Sequence, residues 1–222
     1  MDDPSADPAQ LQRSLRFIRR INFFLGYTRA TLRYLQRFSR SWKRGQTIRV
    51  VDLGTGSGDI PLAILRWADR RGLDVRIVGV ERHGATAAIA AAHAADHPRL
   101  RIVRGDVLAM PFADGAFDYA ITAMFLHHLT DEQAVVVLRT MDRLARRGVV
   151  IADLLRHRRA YHWIRFFTAF SNPMVRHDAS VSVLQAFSED EAIQLAKRAG
   201  LAYLKYHGHF GHRFVLAGQK DG

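Results

Sequence analysis

The run Arg49-Val-Val-Asp-Leu-Gly-Thr-Gly-Ser-Gly-Asp59 constrains this chain more than any other stretch. Ile48, Val50, Val51 and Leu53 form a short apolar segment rich in β-branched residues, the signature of a buried strand. Gly54, Gly56 and Gly58 follow in alternation, and a helical pattern begins near Pro61, proline being favoured where a helix starts. A strand that turns through glycines into a helix brings backbone N–H groups to a ligand with no Cβ in the way. The dinucleotide fingerprint G-x-G-x-x-G wants its third glycine where this chain has Asp59, so the pattern points to a different nucleoside. The plain alternative is a corner that needed glycines only for its turn.

Strand and helix patterns alternate through the rest of the chain. Strands are predicted at Val75–Val80, Leu100–Val103, Tyr119–Thr122 and Val149–Ala152. Between them, Ala85–Ala95 is alanine-rich and helical, and a helix from about Asp131 to Ala145 has Thr130 as N-cap and Gly148 as terminator. Ser188 and Glu191 fit a capping box for a helix ending near Gly200. Leu201–Tyr206 and Arg213–Gly218 read as a closing hairpin at the sheet edge. This order predicts a doubly wound α/β fold with a mostly parallel sheet.

Residues 1–9 read as a disordered lead-in, and residues 11–42 as two amphipathic helices broken at Gly26. Residues 11–51 carry many arginines and lysines but no aspartate or glutamate, within a chain of net charge +12. A solvated basic face on a helical cap is the simple reading; an RNA contact or an anionic membrane surface is the alternative. The absence of cysteine excludes disulfides, Cys-ligated zinc and thiolate nucleophiles. No apolar run reaches membrane-spanning length and the first ten residues lack a signal-peptide pattern, so a cytoplasmic protein is expected.

Asp52 followed by Gly54-x-Gly56-x-Gly58 resembles the first motif of class I S-adenosylmethionine (SAM)-dependent methyltransferases. The wider pattern, from Arg20-Ile-Asn-Phe-Phe-Leu-Gly26 through Arg176-His-Asp-Ala179 to Ala186-Phe-Ser-Glu-Asp190, resembles bacterial methyltransferases of the quinone-biosynthesis and polyketide-associated type. The resemblance implies a seven-stranded Rossmann-like sheet whose last strand inserts antiparallel. It also implies an N-terminal helical cap over residues 1–45, a SAM-binding domain over 46–222, and a substrate-covering helical insertion after the fifth strand at 154–187.

It further implies that Asp52, Gly54, Thr55 and Gly56 face the cofactor. Glu81, at a strand end one βαβ unit later, can accept hydrogen bonds from ribose hydroxyls, as the acidic residue of dinucleotide folds does; a solvated strand-end charge is the alternative. Arg82 is placed over the adenine face. In the family an aspartate at the position of Asp106 accepts the adenine amino group, and Val107 would offer its N–H; a turn aspartate is the competing reading. Ala123 and Met124 would pass beside the methionine part of SAM.

Leu126-His127-His128-Leu129 follows the fourth strand, where open α/β sheets bind ligands. Adjacent histidines there are expected to point differently, with His127 facing the site as a base and His128 near the substrate. Both residues serving only to order the loop is the alternative. His177, beside Asp178, is a second base candidate and Asp153 a third. Tyr161 and Phe167 lie on an aromatic-rich helix and are assigned to an apolar acceptor pocket, although such stripes more often build core. His207-x-His209-x-x-His212 reads as hairpin rather than metal site.

These readings lead to SAM-dependent methyl transfer onto a hydroxyl of an apolar phenol, quinol or polyketide-derived aromatic. C-methylation of a similar ring and RNA methylation are the alternatives. The partner is a small apolar acceptor, with no stable nucleic acid; a peripheral membrane contact and a homodimer remain open.

Overall fold

The computed structural model describes residues 26–168, 173–209 and 212–220. The first N-terminal helix expected from the sequence lies outside them, as do the side chains of Phe167 and His177.

Seven strands form one sheet: β1 (Thr47–Leu53), β2 (Asp74–Glu81), β3 (Leu100–Arg104), β4 (Phe117–Ala123), β5 (Ala145–Leu154), β6 (Lys205–His209) and β7 (Arg213–Gln219). Their order is β3-β2-β1-β4-β5-β7-β6. The first five pair in parallel, while β7 pairs antiparallel with both β5 and β6. The helices are α1 (Tyr27–Phe38), α2 (Asp59–Arg70), α3 (Gly84–Ala94), α4 (Asp131–Leu144), α5 (Arg158–Thr168), α6 (Pro173–Gln185) and α7 (Glu189–Ala199).

Parallel strands are buried on both faces, and the sequences show it. Every residue of β4 is buried, as are the last seven of β5. Alternate side chains feed two cores. One, with Ile48, Val50, Ile77, Tyr119 and Val150, is covered by α1 and α2; the other, with Val51, Leu53, Ala120, Val149 and Ile151, is covered by α4 and α7.

The caps follow the sequence. Thr130 with Gln133, and Ser188 with Glu191, close reciprocal capping boxes, and Gly200 ends α7 in the left-handed conformation. Gly26 starts α1, whose Ala30, Leu35 and Phe38 face the core.

Two helix boundaries differ from expectation, and the strand expected at Leu201–Tyr206 forms instead at Lys205–His209. Helix α2 starts at Asp59 rather than near Pro61, because Gly58 turns left-handed and hands the chain directly into the helix. Gly148 does not terminate α4; that helix ends at Leu144 and Gly148 lies inside β5. A Cβ on Gly148 would sit 2.5 Å from the Gly218 carbonyl oxygen on β7, so glycine there serves close strand approach. The closing hairpin forms with β7 inside the sheet and β6 at its edge.

Candidate active site

The sheet order reverses between β1 and β4, and the crevice at their carboxyl ends is where open α/β sheets take ligands. The glycine corner occupies one lip of that crevice. Its first two N–H groups, from Gly54 and Thr55, both donate to the Val80 carbonyl at 3.0 and 2.9 Å, which ties the loop to β2. Gly54 and Gly56 have φ of 72° and 56°, a region L-residues avoid. A Cβ on Gly54 would strike the Phe125 ring at 2.5 Å, whereas one on Gly56 would meet nothing within 4 Å. Gly54 is therefore required by packing across the crevice, and Gly56 leaves open space above the loop.

Asp52 is turned under the corner, only 2% exposed, with Thr55 Oγ1 donating to its Oδ2 at 2.7 Å. Burial lifts its carboxyl to about 7; the Thr55 hydrogen bond opposes this, while Asp59 and Glu81 add to it. Glu81 ends β2 and reaches back to the loop. Its Oε2 accepts the Gly56 N–H at 3.0 Å and its Oε1 the His83 N–H at 2.9 Å. The carboxylate is thus fixed beside the open glycine. Arg82 is exposed. Asp106 follows β3 and accepts the Leu108 N–H through Oδ1 at 2.9 Å, an Asx turn, while Val107 is buried. The corner, Glu81 and the Asp106–Val107 turn therefore stand at the ends of three adjacent strands.

On the other lip, β4 ends at Ala123, and Met124 adopts φ 56° with its N–H on the Ala152 carbonyl at 2.9 Å. A non-glycine residue held left-handed is strained backbone, and such strain clusters at functional sites. The turn carries the chain into a short 3₁₀ segment, Leu126–His128. There His127 is 3% exposed and its Nδ1 lies 2.6 Å from Oδ1 of Asp153. The His127 N–H reaches Asp153 Oδ2 at 3.3 Å, and the Leu154 N–H donates to Asp153 Oδ1 at 2.7 Å. Burial raises the Asp153 carboxyl, but the His127 imidazole, its hydrogen bond, the Leu154 N–H and His128 together hold it below its ordinary value. Asp153, weighed from the sequence as a base itself, is an ionised anchor that fixes the His127 ring.

The two histidines do not point apart. Their rings lie 4.1 Å apart between centroids at 40°, with His127 buried and His128 exposed. Both line a cavity of about 260 Å³, together with Thr130, Arg156, Phe187 and Glu191. Tyr161 on α5 is half-buried against the apolar cluster that contains Ala123, with Met124 at its margin. The hairpin histidines separate: His209 Nε2 is 3.2 Å from the Tyr34 hydroxyl, whereas His212 stacks on His157.

Sequence reasoning missed Tyr27. It is fully buried at the start of α1 beside Arg213. A tyrosine following the Gly26 break was the only available signal, and helical periodicity marks it simply as core.

Comparisons with known proteins agree with this geometry. Residues 50–148 match the model of a methyltransferase domain family. The demethylmenaquinone methyltransferase of Roseiflexus sp. is 35% identical over 129 residues, covering 53% of this chain and 49% of that protein. The chain thus spans about half the length of that relative. The 2-phytyl-1,4-naphthoquinone methyltransferase of Synechococcus elongatus is 27% identical over 175 residues, 72% of this chain and 73% of that protein. Among solved structures, a SAM-dependent methyltransferase from Aquifex aeolicus superposes with a TM-score of 0.64 at 16% identity, over 97% of this chain and 99% of that one. Human N-acetylserotonin methyltransferase in complex with SAM gives 0.67 at 13% identity, over 97% and 57%. The glycine motif and the strand order agree with the match of residues 50–148 to the methyltransferase domain family, to which this stretch is similar.

Proposed function

We propose that this chain transfers a methyl group from SAM to an oxygen-bearing aromatic acceptor of the quinol or phenol type. The observation that carries this reading is the fixed Glu81 carboxylate beside Gly56, whose missing Cβ leaves room for a ligand above the loop. These residues suit a nucleoside: backbone at Gly54–Gly56 to receive it, Glu81 to accept ribose hydroxyl protons, and Asp106 with the Val107 N–H for the adenine edge. Arg82 stands outside this set as an exposed flank. When bound, SAM supplies an electrophilic methyl on a cationic sulfonium.

The chain's own part is positioning and proton handling. Holding two reactants in line and close lowers the barrier by several kcal/mol, up to about 7–11 in ideal cases. His127 is the proton acceptor. Asp153 takes its Nδ1–H, which leaves Nε2 as the basic nitrogen for a ring hydroxyl. Met124 and Tyr161 form the apolar wall and His128 its exposed rim. A dry wall favours this reaction, because a phenolate and a sulfonium lose charge as they combine.

The same proton removal prepares a hydroxyl oxygen or the ring carbon beside it. Attack from oxygen is the primary reading and attack from carbon the second; the quinone-type substrates in the relatives' names fit either. Calorimetry with SAM tests the cofactor half: wild type binds, and Glu81→Gln binds at least about tenfold more weakly, the worth of one charge-assisted hydrogen bond. No heat with wild type would refute the reading. NMR of the product formed from 1,4-dihydroxynaphthalene distinguishes a methoxy from a ring methyl.

A further inference from the structure

Among the described residues, three side-chain atoms around α1 and the start of β7 are buried without a hydrogen-bond partner: Tyr27 Oη, Thr31 Oγ1 and Arg213 Nε. Tyr27 and Thr31 are fully buried and stand one turn apart on one face of α1. Arg213 opens β7 opposite Leu154, and its guanidinium carbon lies 5.7 Å from the Tyr27 ring centre. Native proteins pair nearly all buried polar groups, because an unpaired one costs its full desolvation. A cluster of them marks a place built for a ligand atom.

The chemistry of the three atoms says which atom. Arginine Nε only donates, and the two hydroxyls can donate. Burial pushes the Tyr27 phenol strongly upward, Asp153 pushes the same way, and Arg213 offsets them only in part, so the phenol keeps its proton. Three donors and no carboxylate paired with Arg213 among the described residues fit a lone-pair oxygen. The location fits the acceptor. Tyr27 belongs to the apolar cluster of Ala123, Leu154 and Ala160, with Met124 and Tyr161 packed against it. It approaches β4 and β5 from the α1 side, while the Leu126–His128 segment that carries His127 packs against α6 and β5.

We propose that Tyr27, Thr31 and Arg213 bind a second oxygen of the aromatic acceptor, a carbonyl or hydroxyl other than the one next to the transferred methyl. This rests on the methyl-transfer reading above. The apolar neighbours hold the ring, and the three donors select rings carrying two oxygens over rings carrying one.

The test uses the full chain with SAM bound, under anaerobic reducing conditions, and the probes 1,4-dihydroxynaphthalene and 1-naphthol. Wild type should bind the diol about tenfold more tightly, the worth of one well-made hydrogen bond. Tyr27→Phe should bind both probes alike, with SAM affinity unchanged and a thermal midpoint equal to or above wild type, because an unpaired hydroxyl has been removed. Thr31→Val gives the same readout if Tyr27→Phe does not fold. A diol preference that survives in the variants, or none in wild type, overturns the proposal. SAM binding without any diol preference leaves the methyl-transfer reading standing, so the two failures are told apart.

Discussion

His127 Nδ1 and Asp153 Oδ1 lie 2.6 Å apart, with the two side chains 2% and 1% exposed. Replacing one partner of such a pair strands the other, at a cost of about 3–5 kcal/mol. Asp153→Asn should therefore lower the unfolding free energy by roughly that amount near neutral pH. The folded carboxyl lies below its ordinary 3.8, so its contribution is full above that value and is lost as pH falls through the lower folded one. Chemical denaturation of wild type and variant should show a wide gap at pH 6 that closes below pH 4.

If His127 takes the acceptor's proton, His127→Gln should reduce turnover by about 100-fold or more while leaving SAM affinity unchanged. His177→Gln should change turnover much less. The reverse ranking in a methyl-transfer assay would move the base to α6.

Asp52 carries the opposite sign. Its folded carboxyl sits near 7 against 3.8, so the folded state holds a proton that the unfolded chain has released. Its contribution is full below 3.8 and fades as pH rises to about 7, a loss on the order of a few kcal/mol. Asp52→Asn should flatten this dependence and match or exceed wild-type stability at pH 8. Thermal midpoints from pH 4 to 8 check it.

Gly54 and Gly56 separate packing from binding. Gly54→Ala drives a Cβ against Phe125 and should cost about 2 kcal/mol or more in stability. Gly56→Ala meets open space and should cost only the left-handed strain of about 1 kcal/mol, yet weaken SAM binding beyond tenfold. Denaturation midpoints and calorimetry, read side by side, test the contrast.

Much of the fold was legible because its signals are local. The glycine alternation after Val50–Leu53, the Thr130 N-cap, the Ser188–Glu191 capping box and the uninterrupted apolar strands each depend on neighbours in sequence. The Gly148 error shows the limit: a glycine after a helix looks like a stop, and only the antiparallel approach of Gly218, seventy residues on, gives it another purpose. The site was legible along each strand end but not across the sheet. Sequence could place Asp153 near the strand tip and His127 in its turn, but not join them, since their pairing depends on the register of β4 against β5. Tyr27 was invisible for the same reason, as its orphaned hydroxyl matters only once Arg213 lies beside it.

The antiparallel placement of β7 has a consequence for synthesis. Strand β5 lacks a neighbour on one side until Arg213–Gln219 has left the ribosome, and β6 cannot dock without that same segment. Between the synthesis of β5 and that of β7 the nascent protein thus carries a sticky, half-finished edge, and Arg213–Gln219 acts as the keystone that seals it.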